Sequence, residues 1–241
     1  MPDGDGKVLD VYRPRRIKAS AGPEPAALLW HGVGLDERDV LEPLACATAA
    51  LGLMVFVPDW RSDAPDGGRA HLLGSVRYTR QQAPLLGGSA DAIVLAGWSR
   101  GGKAATGIAV NPTAVRGWRP AAVVCLASGF STPAPTTGTS PAADLGRGHV
   151  TPVPFWLVHG NRDPVVSITQ SREFAAMLTK RGWPVQFEEL PTDHAGVVMA
   201  EYYPAAGRCR PARDSQAIKA GRRTAQILQS AARAIGVPEQ A

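Results

Sequence analysis

Cysteine is scarce. The 241-residue chain has three, Cys46, Cys125 and Cys209, far apart in sequence. An odd, widely spaced set argues against a disulfide framework and against the paired spacing of a zinc site. Cys46 and Cys125 lie in apolar runs and are expected to be small buried hydrophobes. Long apolar runs are lacking too. No stretch approaches the roughly 18 residues that a spanning helix needs, so no membrane partner is expected. Met1-Pro2-Asp3-Gly4-Asp5-Gly6 has neither the basic nor the apolar region of a secretory signal, and a cytoplasmic location is the expectation. Low complexity is absent as well. The 26 glycines and 21 prolines are about a fifth of the chain, below the roughly 25–30% that marks a disordered or collagenous segment. Apolar usage of 44% and charged usage of 20% are ordinary for a globular protein. A chain of this size buries roughly 70–75% of its unfolded surface and needs no covalent staple.

Acidic residues are in the minority, 21 against 26 basic ones, for a formal charge of +5. Arg208, Arg210, Arg213, Lys219, Arg222 and Arg223 crowd near the C-terminus, with Asp214 among them. Such a cluster can hold nucleic acid. Neither a nucleic-acid motif nor interleaved aromatics accompanies it, so it reads as a solvated helix face with no nucleic-acid partner.

What the chain does have is alternation. Apolar strand-like runs appear at Val8–Tyr12, Ala26–Trp30, Leu53–Val57, Ala92–Ala96, Ala121–Ala127, Val153–Val158 and Val185–Glu188. Helix-like segments separate them, over about 36–51, 69–82, 100–110, 167–181 and 212–235. The fourth of these opens on a capping-box pattern, Ser167 with Gln170, and closes at Gly182. Continuous apolar strands between helices predict an α/β fold, a mostly parallel sheet covered on both faces. Chemistry in such sheets sits at the carboxyl ends of the strands.

Ala96-Gly97-Trp98-Ser99-Arg100-Gly101-Gly102 joins a strand to a helix and contains G-x-S-x-G. A serine on so tight a turn is strained, and only tiny neighbours two residues either side permit it. The phosphate-loop spacing Gly97-x4-Gly102-Lys103 overlaps the motif. A nucleotide site would need Ser or Thr next, to hold magnesium, and Ala104 stands there. Gly32-Val33-Gly34 begins a dinucleotide fingerprint, but Glu37 replaces its third glycine. After the serine comes His159-Gly160-Asn161-Arg162-Asp163 at a strand end, then Asp193-His194 after the last strand. The order is Ser, Asp, His.

These residues resemble the α/β-hydrolase superfamily, in its small, lidless serine-esterase and dienelactone-hydrolase-like branch. The likeness rests on Trp30-His31-Gly32-Val33-Gly34, Pro58-Asp59-Trp60-Arg61, the Ser99 elbow, His159 to Asp163, and Asp193-His194, in family order along nearly the whole chain. It implies Ser99 as nucleophile, Asp163 as orienting acid and His194 as base. Dienelactone hydrolases carry cysteine at the nucleophile position, so Ser99 favours a general esterase over a lactone hydrolase. Asp144, Glu188, Glu189 and Asp193 are rival acids. The oxyanion hole is expected from the N–H of Arg100 and of Val33, with Gly34 as a third donor.

Trp98 and Trp60 are candidate walls of the substrate pocket, and Arg61 and Arg100 can favour an anionic substrate. His31 and His159 read as supports of their loops and His71 as solvent-facing, while His149 ends the irregular stretch, with a place at the site entrance as its lesser alternative. No metal constellation or organic cofactor is expected. The reading is a single α/β-hydrolase domain over 1–241 that cleaves small carboxylic esters through an acyl-enzyme, with water as deacylating agent. A homodimer is compatible with it. A thioesterase or small peptidase on the same triad, or a non-catalytic ligand-binding protein of this fold, are the alternatives. The elements consume nearly the whole chain. Only 131–150, an irregular insertion, stands at the cap position, which predicts an open, shallow site.

Overall fold

The computed structural model describes residues 7–14, 23–147 and 150–235. Seven strands form one sheet: β1 (Leu9–Tyr12), β2 (Glu24–Trp30), β3 (Met54–Pro58), β4 (Gly88–Trp98), β5 (Ala122–Leu126), β6 (Phe155–Gly160) and β7 (Val185–Leu190). Their spatial order is β1-β3-β2-β4-β5-β6-β7. Edge strand β1 runs antiparallel to β3, and every other pairing is parallel.

Alternation along each strand explains the layers, because successive side chains leave a strand on opposite faces. Ala27 and Leu29 of β2 join one core with Val40, Leu41 and Leu44 of helix α1 (Arg38–Ala50) and Leu228 and Ala231 of helix α6 (Ser215–Ala234). Ala26, Leu28 and Trp30 join the other. That core receives helices α2 (Arg69–Leu85), α3 (Arg100–Val110), α4 (Pro141–Arg147) and α5 (Thr169–Lys180). The predicted mostly parallel sheet with helices on both faces is therefore the observed architecture, and no cap domain covers it.

Several details differ from the sequence reading. Segment 131–150 holds α4. Pro141 opens that helix, and the Ser140 hydroxyl accepts from Ala143 N–H at 3.3 Å. This Ser-Pro start was present in the sequence. The capping box at α5 does not form. Ser167 Oγ accepts from Thr169 N–H, and Gln170 Oε1 instead accepts from the Ser131 hydroxyl at 3.1 Å. Cys46 is exposed rather than buried, whereas Cys125 is buried and its thiol is pushed up to about 12 by desolvation.

The C-terminal basic cluster is not one helix face. Arg208 and Arg210 lie on an antiparallel ribbon, β8 (Ala200–Tyr203) with β9 (Arg208–Pro211), which the sequence reading missed. Arg208 reaches Asp39 at 2.7 Å, Arg210 reaches Glu201 at 2.8 Å and Arg223 reaches Glu188 at 2.5 Å. Much of this charge is thus balanced locally. Among the described residues no helix is long and apolar enough to cross a membrane.

Helix α6 starts at Ser215 rather than at Ala212, because Asp214 caps it: the carboxylate accepts from Ala217 N–H at 2.8 Å. Asp214→Ala should cost about 1 kcal/mol in urea unfolding. An unchanged midpoint would show that tertiary packing alone fixes the helix start.

Candidate active site

β4 ends at Trp98 and α3 begins at Arg100, so Ser99 carries the whole turn. Its backbone sits at φ 52°, ψ −116°, a region costly for a side-chain-bearing residue. Ser99 N–H donates to Leu126 O at 2.8 Å, which pins the turn to the end of β5. A Cβ on Gly97 would collide with the backbone of Gly101, and one on Gly101 would collide with the His31 carbonyl. The two glycines flanking the elbow are therefore required by contact, as the motif predicts. Arg100 is the first residue of α3, where a backbone N–H has no partner within the helix.

The loop after β2 crosses directly over this turn. A Cβ on Gly32 would lie 3.4 Å from Ser99 Cβ and 3.3 Å from the Trp98 ring. Val33 follows and is 67% exposed. The N–H of Gly34 is occupied: it donates to Ser62 Oγ at 3.2 Å, and the Ser62 hydroxyl contacts Gly34 O at 3.3 Å. Gly34, a third donor in the sequence reading, is here a clasp to the loop after β3.

Beneath this loop lie His31 and Trp60, both fully buried. Their rings stack at 5.4 Å. Trp60 Nε1–H donates to His31 O at 3.1 Å, and Trp60 N–H points at His31 Nε2 at 3.4 Å. Nε2 must therefore be the unprotonated nitrogen, with Nδ1–H turned to Gly32 O at 3.1 Å. Burial lowers the His31 pKa to about 4, so the ring is neutral at pH 7. Trp60 has no surface to offer a ligand, which corrects its reading as a pocket wall. It supports the loop that passes Ser99. Asp36 and Asp59 approach His31 with one ligand-type atom each within 4.8 Å. Arg38 takes both oxygens of Asp36, at 2.9 and 2.7 Å, and Lys7 pairs with Asp59 at 3.7 Å, so cations already balance these carboxylates.

Asp163 and His194 are brought together. His194 Nδ1–H donates to Asp163 Oδ2 at 2.7 Å, leaving Nε2 with its lone pair. Asp163 Oδ1 accepts from Val165 and Val166 N–H at 2.8 and 2.9 Å. Burial of this carboxylate would raise its pKa, but hydrogen bonds from His159, His194 and Val166 overcome that and hold it well below the usual range. Gly160 permits the meeting, since a Cβ there would come within 2.5 Å of the Thr192 and Asp193 carbonyl oxygens.

The rival acids are engaged elsewhere. Glu188 pairs with Arg223 and Glu189 with Arg172. Asp144 binds Thr139 and Arg147. Asp193 Oδ1 accepts from the N–H groups of Ala195 and Gly196 and so shapes the histidine loop.

Trp98 is 4% exposed and does not form an open wall. Its Nε1–H donates to His194 O at 2.9 Å, with ring centroids 5.4 Å apart. The residue before the serine thus holds the backbone of the histidine, a link that no sequence motif signals. His159 is fully buried and contacts Asp163, in keeping with its reading as a support. His71 is half-buried and accepts from Arg61 N–H at 3.2 Å. His149 lies outside the described residues. Arg61 spends its charge on Asp63, at 2.8 and 2.7 Å, and Arg100 extends toward Gly67.

Solved structures share this architecture. The apo form of Thermogutta terrifontis esterase 2 superposes with a TM-score of 0.71 at 19% identity, over 96% of this chain and 91% of that one. The same esterase phosphorylated by paraoxon gives 0.71 at 20%, over 96% and 90%. Its butyrate-bound form gives 0.69 at 19%, over 97% and 91%. The fold is that of an α/β hydrolase. No family model and no curated protein sequence matches the chain.

The buried His31 has a measurable consequence. Its pKa is about 4 when folded and about 6.5 when unfolded, so the unfolded chain takes up the proton first as pH falls. Stability should fall by roughly 3 kcal/mol between pH 6.5 and pH 4 from this group. The depressed Asp163 carboxyl acts in a separate window: its contribution is full above about pH 4 and is lost only at lower pH. Urea unfolding of wild type and His31→Phe at pH 7 and pH 4.5 separates the two. The variant should show the flatter dependence, and equal slopes would remove His31 as the cause.

Proposed function

We propose that the protein is a serine hydrolase of small carboxylic esters, acting through an acyl-enzyme. The observation that carries this reading is the strained Ser99, presented at the same edge of the sheet as a bonded Asp163–His194 pair. A serine hydroxyl is a weak nucleophile until a base removes its proton. His194, held by Asp163 through Nδ1, offers Nε2 for that task and then protonates the leaving group. Asp163 fixes the tautomer and stabilises the imidazolium. As the carbonyl carbon becomes tetrahedral, its oxygen gains charge. The N–H of Arg100 and of Val33 are the assigned donors, in keeping with the passage of Gly32 beside Ser99. Water activated by the same histidine then releases the acid. No metal or organic cofactor takes part in this sequence.

The substrate is taken to be small or freely exposed, because the described residues of the segment at the cap position build one short helix, α4. The fold neighbour phosphorylated by paraoxon supplies the reagent for the test.

Wild type should hydrolyse 4-nitrophenyl acetate and gain one diethylphosphoryl group from paraoxon, located on Ser99 by mass spectrometry. Ser99→Ala should lose both. Asp163→Asn should stay folded, with a lower melting temperature because it loses a stabilising charge, and lose about 10⁴-fold in kcat, since the asparagine selects the wrong tautomer. Failure of wild type in both assays would refute the hydrolase reading. Faster turnover of a matched thioester or anilide would move the substrate class instead.

A further inference from the structure

We propose that His159 is a positioning residue of the hydrolytic centre, a second imidazole that holds the Asp163 carboxylate in the orientation from which it fixes His194. The inference rests on the triad reading above and adds a fourth side chain to it. His159 is the last residue but one of β6, and Asp163 follows in the loop.

Hydrogen-bond accounting assigns the proton on its ring. Nε2 lies 3.2 Å from Asp163 Oδ2 and 2.9 Å from Val166 O. Both neighbours are acceptors, so Nε2 must carry the hydrogen. Nδ1 lies 2.7 Å from Ser171 Oγ, which is buried in the first turn of α5. The two acceptors at Nε2 thus fix where the hydrogen sits, and the Ser171 hydroxyl completes the hydrogen bonding of the ring at Nδ1.

Asp163 Oδ2 consequently receives the His194 N–H and lies 3.2 Å from His159 Nε2, whose hydrogen it shares with Val166 O, while Oδ1 receives two backbone N–H groups. The backbone pair alone would tether one oxygen and leave the carboxylate a rotation about that tether. His159 contacts the oxygen that also binds His194, and it comes from the strand, the stiffest part of the loop's surroundings. A fully buried polar ring is costly in a core unless its hydrogen bonds are met. Here they are met at both nitrogens, and one of them ends on the acid of the triad.

The Gln and Asn variants separate positioning from bulk. A glutamine amide can stand where Nε2–H donates to Asp163. An asparagine amide stands where Nδ1 faces Ser171 and leaves the acid without that donor. With 4-nitrophenyl acetate as substrate, His159→Asn should lose about a hundredfold in kcat with KM nearly unchanged, the scale expected when a catalytic group is displaced by about an ångström. His159→Gln should recover at least tenfold of that loss. Ser171→Ala, which leaves Nδ1 without its buried partner, should lower kcat by a few-fold. Equal kcat in the Gln and Asn variants, with both melting near wild type, would overturn the inference and leave the triad standing. A wild type that hydrolyses no ester overturns the triad reading and this inference with it.

Discussion

The first turn of α3 can lie against the end of β2 only because residue 101 has no side chain to set against the His31 carbonyl. This backbone contact fixes the angle at which the helix leaves the sheet, and with it the strained conformation of Ser99. It also brings the loop after β2 across the serine, so that Gly32 rests against Ser99 and Trp98. The stack of His31 on Trp60 keeps that loop from lifting. The Ser62–Gly34 clasp fastens its far side. The proposed nucleophile and its candidate oxyanion donors are thus consequences of one crossing rather than separate adjustments.

The second half of the site depends on a carboxylate whose lone pairs are all spoken for. Asp163 is buried, yet its charge is met by two backbone N–H groups and two imidazoles. That arrangement reverses the usual effect of burial on an acid. It also separates Asp163 from the other acids along this edge, each of which is committed to an arginine or to its own loop. Trp98 then ties the two halves together, because its indole reaches from the serine strand to the histidine carbonyl.

Much of this was legible in the sequence, for reasons that can be named. The buried strands of a parallel sheet are continuous apolar runs, and α3 spans the same residues in both readings because Ser99 and Asn111 bound it. The elbow showed because steric necessity writes glycine at fixed spacings. What escaped notice is held by contacts distant in sequence. The β8–β9 ribbon has short strands without an apolar period, and Arg208 ties it to α1 through Asp39. Gln170 fits a capping box locally, but Ser131 outbids that role through a tertiary contact. Trp98 and Trp60 read as pocket walls because aromatic residues often are. Their indole N–H groups, bonded to the carbonyls of His194 and His31, show them bracing loops instead.

The strand order places β2 between β3 and β4, and the histidine follows β7, the last strand of the sheet. Helix α6 comes later still, and it packs closely on Met199, just past the histidine loop, because Gly221 has no Cβ, which would collide there. During synthesis the serine therefore emerges well before its base. Strain of order 1–3 kcal/mol at such a residue persists only where surrounding structure holds it, and here part of that hold arrives with β5. Contacts of such long sequence separation form late in folding. On the proposed reading, a chain that has not yet emerged past β7 lacks His194, and its Ser99 has no base to take the proton.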